Sequence, residues 1–496
     1  MTHKETPTFV IVGDPNAGKT TLVATLAEDD QAAIAPVPGT TRHLRRYPVK
    51  IDGEEIMVFF DTPGFENSGE VLEWLRDHRE QQNPAADFIA NPEHKKDYPQ
   101  EYEILQPLAE GAAVIYTVDG DIPPCPVDEQ QAEILRHCSV SRIGVINCKK
   151  REGKYLAEWK RVMLRDLNLV KEFNACHTGF ADRIRLLQAI KTVVPDWEER
   201  VATAIEALQG AWEQRLSDSA DAMLKALESV LQFRKIIPFD SENEKKRVAE
   251  RAKQAVEDHV RKVEQQFRKR IREIFRHNKD HWALDALLEA DIFTQDVWDL
   301  FGLSKKTIIV ACVIAGASSG FLLDLALGGA PLGLGTLIGG VAGGVTGGVA
   351  AFYGLEHAVK LRIPRQLPFP FGGRKIGGTS VEAKIPVKSS MAYVLIGRML
   401  VFAESAAGWA HGRQTPVTRI DPSSSAGSEQ ETNVVGVENW SKDERHAVMA
   451  IIALLGTEPA GKIPADKLEL AKSRFREIIV AHLKQKTMMD DSAANS

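Results

Sequence analysis

At 496 residues the chain exceeds what one hydrophobic core can organise, so two to four folded units are expected. Its 62 basic and 68 acidic side chains leave a formal net charge of −6, which excludes a global attraction to nucleic acid or to an anionic surface; such a contact needs a local patch. The five cysteines, Cys125, Cys138, Cys148, Cys176 and Cys312, form no CxxC pair and no cluster with histidine, which argues against zinc and for buried free thiols in a reducing compartment.

The opening MTHKETPTFVIVG carries no basic stretch followed by an apolar core and a small-residue cleavage site. No secretory signal is expected, which places the N-terminal part in the cytoplasm. Residues 9–12 are a short apolar run of strand type, and they lead into GDPNAGKTT, residues 13–21, and then the helical pattern LVATLAE. The spacing Gly13, Gly18, Lys19, Thr20 fits GxxxxGK[ST], a strand–loop–helix in which backbone N–H groups and a helix N-terminus wrap the phosphates of a nucleotide. Gly13, Asp14, Pro15, Asn16, Ala17, Gly18, Lys19, Thr20 and Thr21 are therefore the expected lining of a nucleotide site. Lys19 would reach the β and γ phosphates, and the Thr20 hydroxyl would bind Mg²⁺.

Next come PGTTRH, residues 38–43, and two β-rich runs joined by Asp52-Gly53, a strong hairpin signal. The second run ends in Asp61-Thr62-Pro63-Gly64, where the acid can hold Mg²⁺ and the glycine N–H can touch a γ-phosphate.

With GDPNAGKT, PGTTRH and DTPG in this order, residues 8–195 resemble the small GTPases of the translation-factor-related class, closest to the Era and TrmE branch. The resemblance implies an α/β P-loop GTPase domain, a mixed, mostly parallel sheet with helices on both faces, that uses GTP and Mg²⁺. It makes Thr41 the switch-I magnesium ligand, with Thr40 as the weaker choice, and Gly64 the switch-II contact. Asp61, Thr20 and Thr41 form the implied metal set, and Lys19, Asn16, Thr41 and Gly64 the implied catalytic set. Where Ras-type enzymes orient water with a glutamine, this chain has Phe65, which offers no hydrogen bond. In the TrmE branch a phosphate-loop asparagine holds K⁺ in place of an arginine finger, and Asn16 matches it, which implies slow, K⁺-stimulated hydrolysis. A turn-former bonding its own backbone is the other reading of Asn16.

The base-recognition motifs depart from the family. Asn147-Cys148-Lys149-Lys150 stands where the resemblance expects Asn-Lys-any-Asp, and losing the aspartate removes the acceptor for guanine N1 and N2. Asn174-Ala175-Cys176 replaces the Ser-Ala pair, leaving the Ala175 backbone to meet the base oxygen. GTP remains the favoured nucleotide. About forty-five residues separate the third motif from the strand near residue 112, longer than a minimal GTPase needs. They are either a partner or self-association surface beside switch II or an added surface helix.

Residues 197–233 and 243–277 carry apolar side chains at helical intervals, separated by Ile237-Pro238-Phe239-Asp240. Pro238 is expected to end the first helix and Asp240 or Ser241 to cap the second, giving an antiparallel pair, each roughly 50 Å long at 1.5 Å per residue. The basic run RKVEQQFRKRIREIFRHNK is read as a solvated face, with nucleic acid or anionic headgroups as the alternative.

Residues 307–323 are free of charge, Asp324 interrupts, and residues 325–355 are again uncharged. Gly335, Gly339, Gly343 and Gly347 repeat every four residues, as do Gly340, Gly344 and Gly348. Seven helical glycines in water would cost roughly 7 kcal/mol against alanine, whereas in lipid small residues let helix backbones approach closely. Lys305 and Lys306 before and Lys360, Arg362 and Arg365 after suit a hairpin with both ends on the cytoplasmic side. A hairpin across the lipid bilayer over 307–355 is the expectation, and a glycine-rich hairpin buried in protein is the alternative.

The expected layout is a P-loop GTPase domain (1–195), a long helical hairpin (196–303), a glycine-rich apolar hairpin (304–360), an extended and helical segment (361–420), a flexible linker (421–433), a C-terminal helical unit (434–485) and a disordered tail (486–496). The expected function is a membrane-associated, slowly hydrolysing GTP switch for a membrane partner, on the cytoplasmic face of the inner membrane or else in the cytoplasm. A dynamin-like remodeller, a ribosome or RNA assembly GTPase, and a soluble nucleotidase of relaxed base specificity are the alternatives.

Overall fold

The computed structural model describes residues 6–29, 43–138, 140–148, 153–176, 178–277, 290–293, 359–362, 365–366, 375–376, 380–384, 391–409, 411, 440–456 and 464–489. Thr40, Thr41, Lys149, Lys150, Cys312, the hairpin expected over 307–355 and the linker over 421–433 lie outside them.

The first unit follows the order β1 (Thr8–Val12), α1 (Lys19–Ala27), β2 (Arg45–Ile51), β3 (Glu54–Asp61), α2 (Ser68–Asp77), α3 (Pro84–Ala90), α4 (His94–Asp97), α5 (Pro99–Ala109), β4 (Ala113–Asp119), α6 (Pro126–Arg136), β5 (Arg142–Asn147), α7 (Leu156–Asp166), β6 (Leu169–Phe173) and α8 (Phe180–Lys191). The sheet order is β2-β3-β1-β4-β5-β6, parallel except for β2, which pairs antiparallel with β3. β1 is central and wholly buried because helices cover both faces, which is why its sequence is continuously apolar rather than alternating. Phe9 and Ile11 pack with Leu22, Leu26 and Leu187 on one face, and Val10 and Val12 with Leu72, Phe88 and Leu105 on the other. Asp52 and Gly53 both have positive φ, 52° and 86°, as the expected tight hairpin requires.

The long connection after Gly64 is not an added surface helix. It folds into α2 to α5, whose Phe88, Ile104, Leu105 and Leu108 complete one face of the core. Asn83 caps α3 by accepting the Ala86 N–H, with Pro84 as the first helical residue.

The helical region begins with α9 (Glu198–Gln232) and α10 (Lys245–Ile274), which pack on each other. The segment between them differs from expectation: α9 stops at Gln232, and Arg234–Pro238 is a strand, β7. Counting β8 (Val359–Arg362), β9 (Arg365–Gln366), β10 (Lys375–Ile376) and β11 (Ser380–Lys384), β7 is the edge of a three-stranded antiparallel sheet, β7-β11-β8. Pro238 is tolerated because it ends an edge strand. The Ser241 hydroxyl accepts the Asn243 N–H, so the expected capping residue serves the turn leading into α10.

Helix α11 (Met391–Ala407) falls within the segment expected to be extended and helical, and 14 of its 17 residues are buried. It is wrapped by α9, α10 and α13 (Ala465–Met489), with α12 (Lys442–Leu455) in the same cluster. Val448, Ile451, Phe475 and Ile479 therefore share a core with Leu227, Val260 and Leu400. α13 continues to Met489, so residues 486–489 are helical rather than part of the tail.

Candidate nucleotide site

β1 ends at Val12 and the chain turns sharply at Gly13, whose φ is 146°. A Cβ there would lie 2.0 Å from the Thr117 carbonyl oxygen on β4, so only glycine fits between the loop and its neighbour strand. Asn16 and Gly18 are also left-handed, at φ 67° and 94°, and the Ala17 N–H closes the loop onto the Asp14 carbonyl at 3.1 Å. The Asn16 backbone is the one a turn-forming asparagine adopts.

Lys19, the first residue of α1, is buried and donates through Nζ to the carbonyls of Gly13 (2.8 Å) and Asp14 (3.0 Å). Burial lowers its pKa, and the charges of Asp61 and Asp14 oppose that shift. The Thr20 hydroxyl donates to Asp61 Oδ2 at 2.7 Å. Asp61 is buried at the end of β3, and the Thr62 hydroxyl next to it donates to the Ile11 carbonyl at 2.7 Å. A Cβ on Gly64 would stand 3.1 Å from Pro15 Cδ, so the third motif lies directly on the phosphate loop. Phe65 is buried in the core.

These donor types fit a Mg²⁺ nucleotide: a hydroxyl and a carboxylate oxygen already in register for a hard cation, and a buried ammonium at a helix N-terminus for phosphate. Of the expected site residues, Gly13, Asp14, Pro15, Asn16, Ala17, Gly18, Lys19, Thr20, Thr21, Asp61 and Gly64 are brought together here.

At the base end the arrangement differs from the expected one. Asn147 Nδ2 donates to the Ala17 carbonyl at 3.0 Å, and Asn147 Oδ1 accepts the Ala175 N–H at 3.2 Å. The amide proposed to meet a base oxygen is thus engaged with Asn147, which ties the phosphate loop to the base loop. The Thr25 hydroxyl adds a bond to the Ala175 carbonyl at 2.8 Å. Among the thiols expected to be buried, Cys138 is buried, Cys148 and Cys176 are partly so, and Cys125 is exposed.

Two acidic residues outside the motifs, Glu101 and Glu103, and one inside the phosphate loop, Asp14, make further contacts that shape the site. Glu101 Oε1 on α5 accepts the N–H groups of Glu66 and Asn67, directly after the third motif, at 2.7 and 2.6 Å. Glu103 accepts the Leu44 N–H at 2.8 Å, where β2 begins. Asp14 Oδ1 accepts from Gln131 Nε2 on α6 at 2.5 Å. Sequence reasoning missed Glu101, Glu103 and the Gln131 partner of Asp14, because each contact joins residues far apart in the chain.

Part of the basic run on α10 is spent internally. Arg261 bonds Glu257, Asp258 and Asp291, Arg268 bonds Glu264, and Arg270 bonds Glu273. This favours the solvated-face reading over a nucleic-acid patch.

A family model described as "50S ribosome-binding GTPase" matches residues 8–147, and one described as "Domain of unknown function (DUF3482)" matches residues 160–456. Among curated relatives, GTPase Der of Gloeothece citriformis is 33% identical over 143 residues, 28% of this chain and 26% of that protein. The tRNA modification GTPase MnmE of Alkalilimnicola ehrlichii is 45% identical over 64 residues, 13% of this chain and 14% of that protein. A solved structure of Era in complex with MgGDPNP and nucleotides 1506–1542 of 16S ribosomal RNA is 18% identical, with 55% of this chain and 90% of that chain covered and a TM-score of 0.27. The chain spans about a quarter or less of the length of these curated relatives. Its N-terminal unit is a P-loop GTPase domain with Der and MnmE as relatives, and, with more than half of its length matched by the second model, the chain belongs to the DUF3482 family.

Proposed function

We propose that the protein binds GTP with Mg²⁺, hydrolyses it slowly, and acts as a nucleotide-dependent switch at the cytoplasmic face of a membrane. The observation that carries the nucleotide part is the cluster of Lys19 on its own loop carbonyls with Thr20 against Asp61. When bound, Mg²⁺ neutralises charge on the phosphates. Thr20 and Asp61 would hold it, with Thr41 as the further ligand, and Lys19 would exchange its loop carbonyls for the phosphate oxygens. Phe65 is buried where a water-orienting side chain would be needed, which accounts for slow turnover. Asn16, on its left-handed backbone, supplies the K⁺ contact.

Support for the membrane part is the uncharged, glycine-laddered sequence of residues 307–355. Among the described residues no helix is long and apolar enough to cross a membrane. Competition binding of GTP against ATP, with hydrolysis in K⁺ against Na⁺ and Lys19→Ala as control, tests the nucleotide part. Tighter ATP binding would transfer the site to the relaxed-specificity reading. Recovery of the full chain entirely in the soluble pool after cell fractionation and a carbonate wash would refute the membrane part.

A further inference from the structure

A small, partly open cavity of about 30 Å³ lies where the far end of α1, the start of α8 and helices α9, α10 and α11 converge. It is separate from the nucleotide loop: Lys19 and Glu28 stand at opposite ends of α1, about 13 Å apart at 1.5 Å per residue.

The cavity is cationic and under-bonded. Glu28 Oε1 takes Arg183 Nη1 at 2.5 Å and Arg215 Nη1 at 2.9 Å, while Oε2 takes Arg215 Nη2 at 2.6 Å and faces Arg276 at 3.6 Å. One carboxylate therefore answers three guanidinium groups. Arg183 is 2% exposed, and its Nε and Nη2 have no partner among the described residues. Those two nitrogens form one edge of the guanidinium, the side-on fork that grips a carboxylate or phosphate with two parallel bonds. Trp212 lines the same cavity, and its buried indole N–H also lacks an acceptor among the described residues. Buried polar groups in native proteins are bonded with few exceptions, and here three donors without acceptors gather around one space. Glu28 cannot serve them, since both its oxygens are already engaged. The Trp212 ring is held by stacking on Phe180 at 4.4 Å, so its N–H direction is fixed by packing.

We propose that this cavity binds a small oxyanion, gripped by the side-on fork of Arg183 with the Trp212 N–H as third donor. Arg215 and Arg276 are paired with Glu28 and are not part of the lining, but they leave an excess of two positive charges around it, which favours a phosphate dianion over a carboxylate. Thr25 and Thr178 line the cavity, and the Thr25 hydroxyl holds the Ala175 carbonyl, so an occupant touches the helix and loop that frame the base end of the nucleotide site.

The test is calorimetric titration of the full chain carrying Lys19→Ala, which removes phosphate binding by the nucleotide loop, with inorganic phosphate and separately with acetate. One site per chain is expected, tighter for phosphate. Affinity should fall at least tenfold on adding Arg183→Lys, which keeps the charge and loses the fork, and severalfold on adding Trp212→Phe, which keeps the stacked ring. Because Trp212→Phe preserves the packing, it carries the test even if Arg183→Lys does not fold. Absence of binding, or binding that neither substitution weakens, overturns the proposal.

Discussion

Glu101 links the helical insertion to the third nucleotide motif, and its removal gives a direct test of that link. Its side chain is fully buried, and one carboxylate oxygen accepts both the Glu66 and the Asn67 N–H. Hydrogen bonds to a charged acceptor are worth about 1.5 kcal/mol or more each. Glu101→Ala removes two such bonds at once, about 3 kcal/mol at the lower figure, equivalent to roughly 150-fold in the balance between docked and released loop. Hydrogen exchange read at Glu66 and Asn67 reports this balance without requiring nucleotide. Both amides are expected to exchange roughly two orders of magnitude faster in the variant, while amides of β1 and β4 keep their protection. Unchanged protection at Glu66 and Asn67 would refute the reasoning, because those N–H groups would then have other acceptors. Uniform acceleration across the sheet would show that Glu101 supports the core instead of the loop.

Further outcomes follow from single contacts. Burial alone would raise the pKa of Glu28, but the charges of Arg183 and Arg215 outweigh it and hold the carboxyl well below the usual range. A depressed folded pKa stabilises the fold above the unfolded value of about 4.3, and that contribution is lost as pH falls through the folded pKa. Glu28→Gln should therefore lose about 3 kcal/mol at neutral pH and show a flatter stability curve below about pH 5, measured by urea unfolding; a curve parallel to the parent would contradict the pairing. Gly13→Ala should weaken nucleotide binding at least tenfold, since its methyl would meet the Thr117 carbonyl at 2.0 Å on a left-handed backbone; fluorescent GDP titration checks this, and parental affinity would count against the loop geometry. Burial pushes the Cys138 thiol up to about 12, whereas Cys125 is exposed, so a thiol reagent should label Cys125 in the native protein and Cys138 only on unfolding, as read by peptide mass spectrometry; the reverse order would be inconsistent with this packing.

What could be read from sequence is what lies close along the chain. The phosphate loop, the Asp52-Gly53 hairpin and the two long helices each announce themselves within a few turns of chain, through spacing or period. β7 does not, because Arg234–Pro238 is five residues long and its partner β11 follows more than 140 residues later. The partners of Glu101, Glu28 and Asn147 are invisible for the same reason: a carboxylate or amide acquires its role from whatever the fold places opposite it. Base recognition was half legible, since Asn147 is where the motif expects it, yet the structure uses its amide to bridge two loops.

The relation between the two cores was also not legible, and it bears on how a nucleotide signal could travel. The expected boundary at residue 195 falls just before α9, but α9 belongs to both sides: Val201, Ala204, Ile205 and Leu208 pack under the nucleotide-binding sheet, and Leu216, Met223, Leu227 and Val230 pack in the helical core. A continuous 35-residue helix, roughly 50 Å long at 1.5 Å per residue and without proline, joins these sets, with Gly210 between them. Glu28, at the end of the phosphate-loop helix, reaches across to Arg215 on α9 and Arg276 after α10. A displacement of α1 would therefore change ion pairs on the helices that wrap α11. The Thr25 hydroxyl, on the same helix as Glu28, holds the Ala175 carbonyl, so this junction lies against the loop at the base end of the nucleotide site.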